Sequence, residues 1–183
     1  MDPKMGILGF AEGLRVIEPN PSNIAIAGGV VQAVDYVESC GSVPIVVTQW
    51  EVTIALKELF DFDADMSVEL RADGKYRDSR GVWEEAKPEF VREGVTQVII
   101  IAQPYLHLPS LKRMVRADGY EVIEYKFGPI PFDDSDLNTQ PWTRNKVAYT
   151  KYAVKKLRED VYDAVVLKLT GKKPERVRMQ NDT

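Results

Sequence analysis

A single histidine stands in the chain, His107, in the stretch VIIIAQPYLHLP from Val98 to Pro109. An imidazole can act as general acid, general base or ligand. Gln103 and Tyr105 sit beside it and can orient or contact a bound molecule. His107 and Gln103 are therefore the candidate catalytic residues, and Tyr105 a candidate ligand contact. A lone histidine can equally cap or pack a helix, and both readings stand here. A second constellation is Arg77-Asp78-Ser79-Arg80. The arginines are suited to gripping a phosphate or carboxylate bidentately. Asp78 or Ser79 is suited to capping the helix that follows; the plainer reading is a solvated loop plus a cap. The third is Gly28-Gly29 ahead of an apolar helical pattern. Glycines at a helix N-terminus let backbone N–H groups approach an anion that the helix dipole favours. The full G-x-G-x-x-G pattern is absent, so a tight turn explains the pair equally well.

Metal chemistry is not expected. Asp61, Asp63 and Asp65 alternate like the start of a calcium loop, but Met66 stands where glycine is required and Ala72 where the bidentate glutamate belongs. Asp133, Asp134 and Asp136 read either as a magnesium site or as a solvated turn. One histidine and one cysteine do not make a zinc site. Cys40 has no partner for an internal disulfide and is expected to be a buried structural thiol. Trp50, Trp83 and Trp142 are expected in the core or at its rim.

The run Val98–Ile101 is apolar and β-branched, the mark of a strand buried on both faces of a parallel sheet. Pro104 ends it, so His107 falls just past the carboxyl end of a strand, where ligands bind in open α/β sheets. Around it the pattern predicts a first helix within the lead-in 1–22, with Asp2 as its cap. Strand one follows at Asn23–Ala27, then a helix from Val30 to Ser39. Strand two is Val43–Thr48, with a helix over Val52–Phe60, and strand three is Ser67–Arg71. A helix from about Val82 to Glu93 precedes strand four, Thr96–Ala102. A helix from about Ser110 to Ala117 precedes strand five, Tyr120–Tyr125. A proline-rich loop, Lys126–Pro141, is long enough for a lid. A long last helix from Trp142 to about Leu169 leads to a tail, 172–183, expected to fray.

Alternation of strands and helices implies an α/β, three-layer, doubly wound, mostly parallel five-stranded sheet over a single domain, 1–183, of Rossmann-like or flavodoxin-like type. Right-handed crossovers favour the order 3-2-1-4-5. Its switch point lies between strands one and four, so Gly28-Gly29 and Gln103–His107 are expected to face one crevice.

Composition sets limits. At 183 residues, 44% hydrophobic, the chain can build a real core, and its net charge of -4 argues against a nucleic-acid-binding face. No apolar run approaches the roughly 20 residues of a membrane span. The expectation is a cytoplasmic protein without membrane contact.

In order, the stretches IAIAGG, VPIVVTQ, RDSRGVWEEA and IIIAQPYLHLP resemble the YdcF-like family, which includes SanA- and ElyC-related proteins. The similarity spans most of Asn23 to Gly119. It departs at Arg113, a turn later than the family's arginine, at the extra Leu106, and at Thr48-Gln49-Trp50 in place of a Ser-Gly-Gly strand end. The resemblance implies a Rossmann-like fold and S-adenosylmethionine as a ligand. Gly28, Gly29, Gln49, Arg77, Asp78, Ser79, Arg80 and Tyr105 are then the expected ligand-binding set.

The leading functional expectation is a small molecule, anionic or nucleotide-like, bound in the crevice, with His107 as acid/base if a reaction is catalysed. The alternatives are a non-catalytic scaffold of the same fold and a magnesium-dependent phosphate-ester hydrolase using the Asp133 loop. In the scaffold reading, a stripe at Lys146, Tyr149, Ala153, Leu157, Val161 and Val165 makes the last helix a homodimer or partner surface.

Overall fold

The computed structural model describes residues 3–15, 18–72, 76–105 and 107–170, and the backbone alone at 164–167 and 169–170. The expected cap Asp2, the frayed tail 172–183 and the side chain of Val165 lie outside the described residues. Five parallel strands run in the order β3-β2-β1-β4-β5, with helices on both faces. Both the doubly wound class and the strand order are as the alternation implies.

The first βα unit is not where the pattern put it. The central strand β1 is Lys4–Gly9, and α1 runs unbroken from Pro21 to Ser39. The segment expected as an N-terminal helix is thus the strand, and the expected strand Asn23–Ala27 is helix. β1 is short and glycine-flanked, and Ile7 and Leu8 are fully buried on opposite faces. Ile7 packs with α1 and α2; Leu8 packs with the helices across the sheet. α1 starts at Asn20, whose side chain accepts the Asn23 N–H, with Pro21 at the first helical position. Its buried set Ile26, Ala27, Val30, Ala33, Val34 and Val37 falls at helical spacing.

Gly28 and Gly29 therefore lie in the interior of α1, not in a phosphate-cradling turn. A helical glycine costs about 1 kcal/mol against alanine, and Gly29 is retained for close packing. A Cβ there would come within 2.9 Å of Ile101 Cγ2 on the neighbouring strand β4. Cys40 caps the end of α1 and is exposed, not buried, because the chain there has already left the sheet for the surface.

The remaining elements follow the sequence closely: β2 (Ile45–Gln49), α2 (Trp50–Phe60), β3 (Met66–Val68), α3 (Ser79–Arg92), β4 (Val95–Ile101), α4 (His107–Ala117) and β5 (Glu121–Ile123). β3 and β5 are each three residues long, shorter than expected, as suits edge strands. α3 begins three residues earlier than its apolar pattern, because the Asp78 carboxylate accepts the Gly81 N–H and caps it. A short 3-10 turn, Pro141–Thr143, precedes α5, Lys146–Thr170. Much of α5 is exposed, Val147, Leu157 and Val161 among its apolar residues.

The Lys126–Pro141 loop packs against the body as a strap. Ile130 enters the core beside α1. Ser22 Oγ donates to Pro131 O at 2.7 Å, and Arg15 clasps Asp133 through Nε and a terminal nitrogen, each at 2.8 Å. Asn138 is fully buried, its Nδ2 donating to Asp133 O and Thr143 Oγ1. No helix among the described residues is long and apolar enough to cross a membrane.

Candidate functional site

The carboxyl ends of β2, β1 and β4 lie side by side, with the switch point of this order between β1 and β4, where ligands bind in open α/β sheets. β4 ends at Ile101, and the turn through Gln103 and Tyr105 delivers His107 to the first position of α4. Two bonds shape that turn: His107 N–H to Tyr105 O at 2.7 Å and Leu108 N–H to Gln103 O at 3.0 Å. The imidazole packs edge-on to the buried Phe10, with centroids 5.7 Å apart.

His107 links two elements distant in sequence. Its Nε2 lies 3.0 Å from Ser79 Oγ at the start of α3. On the other side, Nδ1 lies 3.2 Å from Glu12 Oε2, just past the end of β1. That is ion-pair distance, although Nδ1 and Glu12 Oε1 are not aligned on any hydrogen-bond partner. A carboxylate facing Nδ1 favours the tautomer with its proton there, leaving Nε2 to accept from the Ser79 hydroxyl. Carboxylate, imidazole and hydroxyl in series form the arrangement that activates a serine nucleophile.

The chain holds Glu12 firmly. It is 3% exposed. Its N–H donates to Asn23 Oδ1 at 2.8 Å, and its carbonyl accepts from Asn20 Nδ2 at 2.9 Å. Gln49 Oε1 accepts the Ala11 N–H at 3.2 Å. The next residue, Gly13, has φ of +75°, and a Cβ there would lie 2.8 Å from Asn138 Nδ2. Only glycine fits that conformation and space.

The other expected site residues divide. Gln103 is buried but spends its amide on the backbone: Nε2 donates to Ile130 O at 3.0 Å, and Oε1 accepts the Tyr105 N–H at 3.3 Å. It shapes the His107 turn and does not reach the reacting groups. Gln49 holds the β1 end in the same way. The Tyr105 hydroxyl shares a hydrogen bond with Thr150 Oγ1 at 2.9 Å, tying α5 to this turn. Ser79 stands at the centre, with Asp78 as the helix cap. Arg77 turns aside, donating to Glu69 O at 2.9 Å and pairing with Glu85 at 3.0 Å. Arg80 is well exposed and lies 3.9 Å from Glu84. Gly28 and Gly29 belong to the α1 interior. Asp133 and Asp136 of the proposed magnesium loop are each paired with an arginine, Arg15 and Arg144.

Four groups at the crevice lie outside the expected set: Glu12, Glu51, Tyr76 and Tyr149. Glu51, in the first turn of α2, is 4% exposed, and neither carboxylate oxygen finds an aligned hydrogen-bond partner. Burial pushes its carboxyl up to about 8, which the nearby Glu69 charge reinforces and the Tyr76 hydroxyl slightly offsets. The Tyr76 side chain is exposed overall, but desolvation of its hydroxyl end, and then the Glu51 charge, raise its phenol above its usual range. Tyr149 of α5 stands over His107, with rings 6.5 Å apart. Burial and the Glu12 charge raise its phenol as well, so it remains a neutral donor. One signal for Glu12 was present: a carboxylate directly after the run GILGFA, once that run is read as a strand.

No family model, curated protein or solved structure is significantly similar to this chain.

Proposed function

We propose that the chain is a serine-based hydrolase or group-transfer enzyme acting on a small ester-like molecule in the β1/β4 crevice. The observation that carries this is the series Glu12–His107–Ser79, at 3.2 Å and 3.0 Å. His107 Nε2 takes the hydroxyl proton as Ser79 Oγ attacks the carbonyl carbon. It returns that proton to the leaving alcohol or amine as its bond to the carbonyl breaks. Water, or a second acceptor, releases the acyl group from Ser79 by the same relay. Ser79 opens α3: the Asp78 side chain takes the Gly81 N–H, but the Ser79 and Arg80 N–H groups have no helical carbonyl to bond, so they favour the negative charge that develops.

The surroundings favour a neutral or cationic substrate over a phosphate. Glu12 faces His107 and Glu51 lies buried nearby, whereas Arg77 and Arg80 turn toward glutamates outside the crevice. A second reading, reversible binding of a nucleoside-like ligand such as S-adenosylmethionine, draws on the same carboxylates, which suit a sulfonium, and on the switch-point position.

The test is intact-protein mass after exposure to an alkyl fluorophosphonate and to an aryl acetate. The expected result is one adduct on Ser79, absent in Ser79→Ala and strongly slowed in His107→Asn. A folded protein that stays unmodified, or reacts elsewhere, overturns the hydrolase reading. A thermal shift with S-adenosylmethionine in that case supports the second.

A further inference from the structure

Behind Glu12 lies a cavity of about 130 Å³ with Asn20, Asn23, Trp50, Glu51, Ile54 and Glu58 among its walls. It shares the two asparagines that hold the Glu12 backbone, so it adjoins the reactive series without being part of it. Its polar groups are unmatched. Both oxygens of the buried Glu51 lack an aligned partner, and so does the buried Trp50 Nε1. Buried polar groups are nearly always bonded, and each exception calls for an explanation.

The charge around the cavity is mostly negative. Glu18, Glu51 and Glu58 line it, with Glu69 near enough to disfavour ionisation of Glu51. The one cation among the described lining residues, Arg15, is committed elsewhere: its guanidinium clasps Asp133 and pairs with Glu18 at 2.5 Å. Nothing among the described lining residues is left to neutralise Glu51. The indole of Trp50 offers an aromatic face, which also attracts cations.

We propose that this cavity is a binding site for a small organic ammonium group, seated against the Glu51 carboxylate and the Trp50 ring. For size, a cavity of roughly 150 Å³ is known to hold benzene, so the space suits a short alkylammonium. An opposite charge beside a buried carboxyl favours its ionised form, so the ligand supplies the cation that Glu51 lacks. The Trp50 contribution is the ring face and not its N–H, a donor that an ammonium does not satisfy. The site is a matter of binding and stands whether or not Ser79 reacts.

The Trp50 indole N–H is a local reporter, identified among the three tryptophans by loss of its NMR signal in Trp50→Phe. The probe is n-propylammonium, titrated above the Glu51 midpoint of about 8, with n-propanol and propionate as controls of similar size. The expected result is a saturable shift of the Trp50 signal with the ammonium alone. Glu51→Gln should weaken that response at least tenfold, and Ile54→Trp, which fills the cavity from its rim, should abolish it. No saturable shift, an equal response to propanol, or an unchanged response in folded Glu51→Gln overturns the proposal.

Discussion

Asn23, in the first turn of α1, brackets Glu12: its Oδ1 accepts the Glu12 N–H at 2.8 Å and its Nδ2 donates to Gly13 O at 3.2 Å. A residue of the first helical turn is also the residue that fixes the carboxylate facing His107. Asn23 is 1% exposed, so Asn23→Ala leaves a buried N–H and a buried carbonyl without partners. The expected cost is about 1–3 kcal/mol for each group left unpaired, read by chemical denaturation. Labelling of Ser79 should slow as well, because Glu12 would no longer be held opposite Nδ1. A variant with unchanged stability would show that water or a neighbour replaces the asparagine.

Gly13 and Gly41 allow a controlled comparison. Both have left-handed φ, +75° and +79°. A methyl at Gly41 meets nothing within 4 Å, whereas one at Gly13 comes within 2.9 Å of both Asn138 Nδ2 and Thr143 Oγ1. Gly41→Ala should pay only the conformational cost, about 1–2 kcal/mol. Gly13→Ala should pay that and a further overpacking cost of about 1–3 kcal/mol. Equal melting temperatures for the two variants would mean that the strap around Asn138 yields freely.

The sequence was legible wherever apolar runs were long and unbroken. β4 and the His107 turn were found because Val98–Ile101 is buried on both faces and Pro104 stops it. The first unit was misread for a physical reason. Gly6 and Gly9 thin the apolar signal of β1, and Ile7, Leu8, Ala11 and Leu14 chance on helical spacing. In α1, Gly29 is required by the close approach to Ile101, a contact that no local pattern reveals; a glycine pair reads as a turn. The strand order survived because a strand was still assigned between β2 and β4, though from the wrong segment. The cost fell on the site: with β1 missed, Glu12 had no reason to stand at a strand end. Ser79 was seen as a cap or ligand contact and not as the partner of His107, because their meeting depends on how α3 and α4 abut.

Glu51 should make stability depend on pH. Its folded midpoint, about 8, lies above the ordinary value of 4.5 because burial disfavours the charge. Below the ordinary value both folded and unfolded chains carry the proton, and the contribution is fully present. Between the two midpoints the unfolded chain ionises while the folded one holds its proton. Stability then falls with rising pH, by about 1.4 kcal/mol per unit from this group. Glu51→Gln cannot ionise and should flatten that slope, ending more stable than the parent near pH 8. Denaturant melts at several pH values would check this. Parallel slopes in parent and variant would show that Glu51 is solvated in solution.

Tyr149 is expected to set the access to Ser79. It stands over His107 with rings 6.5 Å apart, and its neighbour Thr150 is hydrogen-bonded to Tyr105 at 2.9 Å. The start of α5 is thereby fastened across the crevice, and Lys156 lies 3.9 Å from Asp78 two turns later. Tyr152 stacks on Trp142 with rings 5.6 Å apart and Lys146 lies over the Tyr105 ring, while the helix's apolar residues Val147, Leu157 and Val161 are more than half exposed. So little buried apolar surface means low local stability, and α5 is the element expected to lift. Tyr149→Ala should speed Ser79 labelling by a bulky fluorophosphonate several-fold and leave a small one nearly unaffected. Tyr149→Phe keeps the ring and should behave like the parent. If both variants slow labelling equally, the hydroxyl helps to bind the reagent, and the access route lies elsewhere.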